Sequence, residues 1–348
     1  MNGSVQRVRT VLDGRLPDRP PLFDLLRNDA VIEHFAGRRI PAADPRATVF
    51  AAYEPAIDAT RPLVRLPERE RTETLPTGRE QRIFRWTVWT SHVAYRDTDD
   101  YAAKKRAAIA SFDPTPNPDS VRAWVEHAAT HRRDLGEVFF FSGSPSVGLS
   151  GVYDECGLEF FAYAMADHPG LVEELLECNT FRAERFIEAL PDDHAVEAVF
   201  LGDDIAFKSG LLLSPAWFSV EFLPRLARIC AAWHRRGVKV LFHSDGNLMP
   251  ILDGLVEAGI DGLNPIEVLA GMDAGEIHRR HPHLFLAGGI DVSQLLPFGS
   301  AKEVRETVHR TIDSCGGRLL VGSSTELQNE VPLSNFLAMR DAALSYAY

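Results

Sequence analysis

Apolar and polar positions follow two different periods along this chain, and the change from one period to the other marks the predicted elements. Short apolar runs recur between longer segments in which apolar residues return every three or four positions. The short runs predict buried strands, and the longer segments predict amphipathic helices. From residue 119 onward the two kinds of segment alternate regularly, which predicts parallel βαβ units.

The apolar runs predict about seven strand–helix units, with room for an eighth. Strands are predicted at 22–26, 138–141, 196–205, 238–243, 259–265, 284–287 and 318–321. Helices are predicted at 5–12, 30–35, 45–59, 101–110, 121–135, 163–189, 215–236, 249–258, 274–281, 301–314 and 333–347.

This alternation favours an α/β fold, a closed (β/α)8 TIM barrel formed by a single domain over residues 1–348. An open doubly wound sheet is the alternative. Polar residues follow almost every predicted strand, as the C-terminal mouth of a barrel requires, and no GxGxxG motif follows the first strand. The alternation of strands and helices is interrupted at residues 40–118, which are expected to form a β-rich insertion over one mouth, as a lid or a dimer surface. Within it, residues 79–96 alternate like a half-exposed antiparallel hairpin.

Composition and charge limit the expected partners and location of the protein. The chain has 348 residues, of which 45% are hydrophobic, and a formal charge of −12. Without a basic stripe, nucleic acid is not an expected partner. Four scattered cysteines without CxxC spacing suit a reducing compartment. We find neither a signal peptide nor an apolar run of membrane-spanning length, so we expect a soluble cytoplasmic protein that has no membrane partner.

The stretch VKVLFHSDGN at residues 238–247 combines a buried strand with a sudden polar end. On a strand, residues two apart point to the same side, so His243 and Asp245 can project together. Gly246 then allows a turn close to a ligand. Similar polar groups follow the other predicted strands: Asp24, Arg27, Ser142, Ser144, Asp203, Asp204, Lys208, Asn247, Asn264, Glu267, Asp291, Ser323, Ser324 and Glu326.

In a barrel these residues would converge on one mouth that is rich in carboxylates. Such crowding calls for a metal, a cationic ligand or protonated acids. His243, Asp245 and Glu267 form a nitrogen–oxygen–oxygen set that could hold zinc or another divalent ion. The alternative is a hydrogen-bond network in which Asp245 orients His243. Asp203, His243 and Glu267 are the candidate catalytic residues.

The remaining polar residues at the strand ends are expected to bind a small-molecule substrate. They are Asp24, Arg27, Asp204, Lys208, Asn247, Asp291, Ser323 and Ser324. Structural roles compete with this expectation for three of them. One of Asp203 and Asp204 could cap a helix or loop, Lys208 could form a salt bridge to either, and Asp291 could cap a short turn.

Several motifs along the chain occur together in one known superfamily. They are LDG at residues 12–14 followed by PDRPP at 17–21, GDDIA at 202–206, FHSDGN at 242–247, GIDGLNP at 259–265 and GGID at 288–291. With these motifs the chain resembles the uroporphyrinogen decarboxylase (URO-D) superfamily, in the branch that also holds corrinoid-dependent methyltransferases. The resemblance implies a single (β/α)8 barrel with its site at the C-terminal mouth. Barrels of this kind often pair, so a homodimer is a possible assembly.

The resemblance implies a methyltransferase that works on a small molecule with a corrinoid protein as partner. In those enzymes a His-x-Cys pair and a later Cys hold zinc, which activates a thiol. Here His243 matches, Asp245 stands at the first Cys position, and Ser323 or Ser324 stands near the last. The softer ligands are therefore replaced by harder ones, which suits an oxygen or nitrogen substrate better than a thiol.

Two other functions stay open. The first is decarboxylation of a carboxylated substrate such as uroporphyrinogen, with Asp24, Asp203 or His243 as proton donor and no cofactor. Porphyrinogen decarboxylases carry an Arg-rich stretch after the first strand, whereas the corresponding stretch here retains only Arg27, so we expect an acidic mouth with one arginine. The second is a non-catalytic barrel that binds a ligand.

Overall fold

A six-stranded parallel sheet forms the centre of the molecule. The computed structural model describes residues 3–348. From one edge to the other, the sheet consists of the strands Leu319–Ser323, Phe285–Ile290, Gly262–Asn264, Lys239–His243, Ala198–Gly202 and Ser142–Gly143. All neighbouring pairs are parallel, so the predicted α/β architecture with a parallel sheet is present.

Further parallel contacts continue from both edges of this sheet. Ala59–Thr60 pair with Phe139–Phe140, just before the Ser142–Gly143 edge strand. Single bridges join Leu22 to Val321 of the opposite edge strand and Phe23 to Ala59. The apolar run predicted as the first strand therefore contacts the last strand on one side and the Ala59 strand on the other. A further parallel pair is formed by Leu26–Arg27 and Leu327–Gln328.

The segment expected as an insertion contains two kinds of structure. Ala59–Thr60 lie inside the range 40–118, yet they pair in parallel with Phe139–Phe140. A separate antiparallel sheet follows, with strands Arg71–Thr74, Glu80–Ile83 and Val88–Thr90. Most of its residues are exposed or half-buried, as the alternating pattern at residues 79–96 indicates. A short antiparallel pair, Ala206–Phe207 with Gly210–Leu211, completes the strands of the described residues.

Helices follow most of the strands along the chain. They span Ser4–Leu12, Asp29–Ala36, Arg46–Ala56, Thr98–Ala110, Pro118–Leu135, Leu149–Cys156, Leu158–Asp167, Leu171–Glu188, Pro215–Trp217, Leu223–Arg235, Leu252–Glu257, Ala274–Arg280, Leu295–Phe298, Ala301–Ser314 and Leu333–Ser345. A π-helical turn occupies Phe218–Phe222, and 3-10 turns occupy Met249–Ile251 and Val268–Ala270.

One long predicted helix is two helices in the structure. The range 163–189 is divided at Pro169 and Gly170, and Gly170 adopts a left-handed φ of 86°. Proline removes a backbone donor and glycine tolerates positive φ, so this dipeptide ends one helix and begins the next. The helix Leu149–Cys156 was not predicted, because the preceding SGSPSVG stretch looks like an extended loop.

Two apolar clusters fill the space around the sheet. One cluster joins Val8 and Val11 of the first helix to strand residues such as Phe139, Phe200 and Leu241. The larger cluster lies between the strands and the surrounding helices. Because the first helix packs near the amino ends of the strands, the carboxyl ends are left for polar residues. Within residues 3–348 no helix combines the length and apolar character needed to cross a membrane.

Candidate functional site

The site is assembled by three adjacent strands at their carboxyl ends. His243 is opposite Gly202 in one neighbouring strand and opposite Asn264 in the other. This register brings the residues after Gly202 and the side chain of Asn264 beside the imidazole. The grouping follows from parallel strand order alone, since carboxyl ends of parallel strands meet at one edge.

The orientation of His243 is fixed by a chain of two hydrogen bonds. Asn264 Nδ2 donates to the carbonyl of Ala287 at 3.0 Å, which leaves Asn264 Oδ1 as the acceptor for His243 Nδ1 at 2.8 Å. The ring proton is therefore assigned to Nδ1, and Nε2 keeps an unshared electron pair. Burial lowers the pKa of His243 to about 4, and the positive charge of Arg61 lowers it as well. The imidazole is consequently neutral at pH 7.

Two carboxylates, Asp204 and Asp245, lie close to His243. Asp204 Oδ1 is 3.8 Å from His243 Nε2 and accepts the backbone N–H of Asp245 at 3.0 Å. One ligand atom each from Asp204, His243 and Asp245 fits within 4.8 Å of the others. We call these three residues the Asp–His–Asp cluster.

Asp245 is the least satisfied member of this cluster. Its Oδ1 atom is buried, and no residue between 3 and 348 donates a hydrogen bond to it. Burial raises the pKa of Asp245 to about 7, and the negative charges of Asp204 and Glu267 contribute to this rise. A buried carboxylate oxygen without a partner is costly, so a proton or a cation at this point would stabilise the site.

Glu267 is placed beside the cluster and not in it. Its Oε2 accepts the backbone N–H of Gly246 at 2.8 Å, and its Oε1 is 4.0 Å from Lys208 Nζ. The set expected from the sequence, His243 with Asp245 and Glu267, thus changes by one member, because Asp204 takes the place of Glu267. Lys208, expected to bind substrate or alternatively to pair with Asp203 or Asp204, has a side chain that is 62% exposed and whose ion-pair partner is Glu267.

Asp203 has a structural partner for each of its oxygens. The carboxylate accepts the backbone N–H groups of Gly148, Leu149 and Ser150 at 2.6, 3.2 and 2.7 Å, at the start of the helix Leu149–Cys156. It is 1% exposed, and burial raises its pKa to about 6. The sequence expected Asp203 to be catalytic, whereas these contacts make it a helix cap.

Three other side chains that were expected to bind substrate accept hydrogen bonds from backbone N–H groups instead. Asp291 accepts the N–H groups of Ser293, Gln294 and Leu295 at the short helix that follows it. Asn247 Oδ1 accepts from Met249 N, and Ser324 Oγ accepts from Val292 N. Each of these side chains holds a turn at a strand end, so their polarity is explained without a ligand.

Asp24 and Ser323 tie the first and last strands together. Ser323 donates from its backbone N–H and from its hydroxyl to the two oxygens of Asp24, at 3.0 and 2.8 Å. Leu25 N also donates to Asp24 at 2.9 Å. Burial raises the pKa of Asp24 to about 6, although these hydrogen bonds lower it. Asp24 is therefore a fully buried acid at the mouth, with Ser323 as its partner.

Beside Arg27, which the sequence analysis named, the site contains a second arginine that it missed. Arg27 and Arg61 both bind Glu326, at 2.6 and 3.3 Å. The guanidinium of Arg61 lies 5.0 Å from the ring centroid of Phe200, and that ring lies 4.8 Å from the ring of His243. The expectation of a mouth with one arginine is therefore corrected. Arg61 follows a strand of only two residues, and its range had been assigned to an insertion.

Comparisons with known proteins agree with this architecture. The family model described as uroporphyrinogen decarboxylase (URO-D) matches residues 102–346. A solved methyltransferase from Methanosarcina mazei superposes with a TM-score of 0.70 at 17% identity, covering 99% of this chain and 98% of that one.

A weaker superposition is found with an octameric ribulose-1,5-bisphosphate carboxylase/oxygenase from Pyrococcus horikoshii. Its TM-score is 0.31 and the identity is 13%, over 72% of this chain and 56% of that one. That score is too low to support a shared fold. No curated protein matches the sequence. The family match covers well over half of the chain, and the methyltransferase shares its fold from end to end; the chain belongs to the uroporphyrinogen decarboxylase family.

Proposed function

We propose that this protein is a small-molecule methyltransferase that holds a divalent metal ion at the Asp–His–Asp cluster and works with a corrinoid-carrying partner protein. The observation that carries the proposal is the unshared electron pair of His243 Nε2, which lies 3.8 Å from Asp204 Oδ1 in a cluster that also contains Asp245. A structural neighbour of the same fold is a methyltransferase. We also propose that the parallel contacts close into a (β/α)8 barrel, with the exposed antiparallel sheet as an insertion.

The side chains of the cluster fit a divalent ion. One imidazole nitrogen and two carboxylate oxygens suit zinc, and they also suit harder ions such as iron(II) or manganese(II). An ion would supply the partner that the buried Oδ1 of Asp245 lacks among the described residues. Because the set contains no thiolate, we infer that the methyl group is carried by oxygen or nitrogen and not by sulfur.

The protein's own groups would prepare the substrate for loss of its methyl group. A bound divalent ion acts as a Lewis acid that withdraws electrons from the atom carrying the methyl group. Asn264 keeps the His243 proton on Nδ1, and the N–H of Asp245 holds Asp204 in position. We propose that Glu267, which accepts the backbone N–H of Gly246 beside the cluster, passes a proton on to the departing oxygen or nitrogen while the methyl group moves to the corrinoid of the partner protein.

Metal content of the purified protein tests this proposal. We expect about one equivalent of a divalent metal in the wild type, in line with a single three-ligand site. The metal should be lost in His243→Ala and in Asp204→Ala, whereas Glu267→Gln should retain it because Glu267 lies beside the cluster. A metal-free wild type, or an Asp204→Ala variant that keeps its metal, would contradict the assignment.

Decarboxylation of a carboxylated substrate is the second candidate. The observation that favours it is the pair of buried arginines, Arg27 and Arg61, which the sequence had not predicted together. Guanidinium groups bind carboxylates well, and a buried acid such as Asp24 could protonate a carbanion. Release of carbon dioxide from uroporphyrinogen without any corrinoid would favour this reaction over methyl transfer.

A further inference from the structure

A cavity of about 660 Å³ lies at the amino ends of the strands, whereas the Asp–His–Asp cluster lies at their carboxyl ends. It is formed between the helix Ser4–Leu12, the helix Pro118–Leu135 and the segment that leads into the strand Ala198–Gly202. Ligand pockets in proteins have volumes of about 300–1,000 Å³. The cavity therefore has room for a small organic molecule, at a place separate from the cluster.

The inner wall of the cavity is apolar. Val138, Phe139, Phe140 and Val196 line it, and all four are buried. Ala129 lines the cavity from an exposed position on the helix Pro118–Leu135. Because removal of apolar surface from water is favourable, this wall would attract the apolar part of a ligand.

Charged side chains surround the apolar wall, and positive charge exceeds negative charge. Two of the charged residues satisfy each other, since Arg9 donates to both carboxylate oxygens of Glu197, at 2.6 and 2.8 Å. Although the whole chain has a formal charge of −12, the charged residues described along this cavity are three arginines and two glutamates: Arg9, Arg132, Arg133, Glu137 and Glu197.

An ion pair outside the cavity does not cancel this excess. Arg133 Nε is 3.4 Å from Asp134 Oδ1, but Arg46 binds the other oxygen of the same carboxylate. One carboxylate is thus shared by two guanidinium groups, and one positive charge remains unbalanced. A local excess of this sign attracts an anion even on an acidic protein.

Arg132 is anchored at the edge of the cavity by one of its two terminal nitrogens. Its Nη1 donates to the carbonyl of Ala195, whereas Nη2 lies 4.0 Å from Glu197 and donates to no described residue. Ala195 has a left-handed φ of 56°, which only one other non-glycine residue between 3 and 348 shares. Such backbone strain persists where surrounding contacts impose it, and it concentrates at ligand sites.

We propose that this cavity binds a small aromatic monoanion, whose apolar body packs against Val138 and Val196 and whose anionic group pairs with Arg132. A guanidinium group stacks on aromatic faces and also pairs with anions, so an aromatic body suits an arginine-rich edge. A single unbalanced positive charge favours a monoanion over a dianion. Since the cavity and the cluster lie at opposite ends of the strands, the proposal does not depend on the proposed function.

Equilibrium dialysis of the full-length protein with naphthalene-2-sulfonate tests the proposal, with naphthalene-2-sulfonamide as the uncharged counterpart. We expect about one equivalent of the sulfonate to bind, at least about tenfold more tightly than the sulfonamide, because only the sulfonate forms a charge-assisted hydrogen bond. Ala129→Trp should weaken sulfonate binding by at least about tenfold, since the indole occupies the cavity. Ala123→Trp is the matched control. Ala123 is exposed on the same helix outside the cavity, and its variant should stay within about twofold of the wild type.

Arg132→Gln tests the charge separately from the space. Glutamine still has an amide donor for the carbonyl of Ala195 but carries no charge, so the two naphthalene compounds should bind this variant within about twofold of each other. Equal binding of the two compounds by the wild type, or sulfonate binding by Ala129→Trp as tight as in the wild type, would overturn the proposal. Loss of sulfonate binding in His243→Ala would also overturn it, because the probe would then lie at the cluster. Ala129→Trp should keep the metal content of the wild type, so the two proposals fail independently.

Discussion

At the scale of single residues, the hydrogen bond from His243 to Asn264 decides which ring nitrogen is free. Asn264 is completely buried, and its amide bridges the imidazole and the carbonyl of Ala287. Replacement by leucine would remove the acceptor and leave the Nδ1–H without a partner. The imidazole could then rotate or change tautomer, which weakens ligand binding at Nε2.

We therefore expect Asn264→Leu to lower metal affinity about ten- to hundredfold, as loss of an orienting partner typically does. Asn335→Leu is the control. Asn335 is also buried and donates to the carbonyls of Leu296 and Gly299, far along the chain from the cluster. Both variants should lose stability, but only Asn264→Leu should change a metal titration. Equal metal affinities in the two variants would show that the orienting bond has no such role.

Sequence reasoning identified some single residues of the site and could not identify others. The alternation of side chains on a strand correctly grouped His243 with Asp245. It named Asp203 as catalytic and Asp204 as substrate-binding, although the role of each depends on where the strand ends and which helix begins nearby, which the local pattern does not show. Arg61 was missed for another reason: Ala59–Thr60 pair over only two residues, which is too short an apolar run to reveal a strand end.

At the scale of elements, the adjacent aspartates Asp203 and Asp204 have different neighbours. Asp203 accepts three backbone N–H groups at the start of the helix Leu149–Cys156, whereas Asp204 belongs to the Asp–His–Asp cluster. Asp203→Asn replaces one acceptor oxygen with a donor that faces N–H groups. We expect this variant to lose about 1–3 kcal/mol of unfolding free energy and to keep its metal.

Asp204→Asn should behave in the opposite way, with nearly unchanged stability and much less bound metal. Urea unfolding at pH 7 and metal analysis of the same preparations separate the two effects. A loss of metal in Asp203→Asn at unchanged stability would move the functional role to Asp203, as the sequence alone had suggested.

The order of elements was largely predictable, while their ends were not. The parallel strands from Ala198 onward lie within or close to the predicted ranges, because buried parallel strands leave long apolar runs. The short strands Ala59–Thr60 and Leu327–Gln328 leave no such run. Hydrogen bonds from neighbours that are distant in sequence define them, and a local pattern carries no information about those neighbours.

At the scale of the whole molecule, Asp58 connects the N-terminal segment to the second strand. Arg7 Nη1 donates to Asp58 at 2.8 Å, and Arg19 donates with both terminal nitrogens at 2.8 and 2.9 Å. Burial alone would raise the pKa of Asp58, but the hydrogen bonds and charges of its partners hold it below its usual value. The ionised carboxylate therefore stabilises the fold.

Because the folded pKa is depressed, this stabilisation is fully present above pH of about 4 and is lost as the pH falls through the folded value. We expect Asp58→Asn to cost about 1–3 kcal/mol at pH 7, since it removes the charged partner of Arg19 and one of the two carboxylates that bind Arg7, which keeps Asp18. The difference between wild type and variant should shrink in urea unfolding measured toward pH 3. A difference that is constant from pH 7 to pH 3 would exclude a role for the ionised form.

The contact between the first and last strands depends on a close approach between Phe23 and Gly322. A Cβ atom at position 322 would lie 1.7 Å from the carbonyl oxygen of Phe23, a distance that no packing adjustment accommodates while the backbone pairing from Phe23 N to Val321 O at 2.8 Å persists. We expect Gly322→Ala to destabilise the protein by at least the roughly 1–3 kcal/mol of an overpacked core.

Gly151→Ala is the control, because Gly151 is exposed on a helix and no atom lies within 4 Å of the Cβ that alanine would add. This variant should gain up to about 1 kcal/mol of unfolding free energy. Thermal unfolding of both variants measures the contrast. If Gly322→Ala were as stable as Gly151→Ala, the first and last strands could not be in this contact, and the sheet would have to be open at that point.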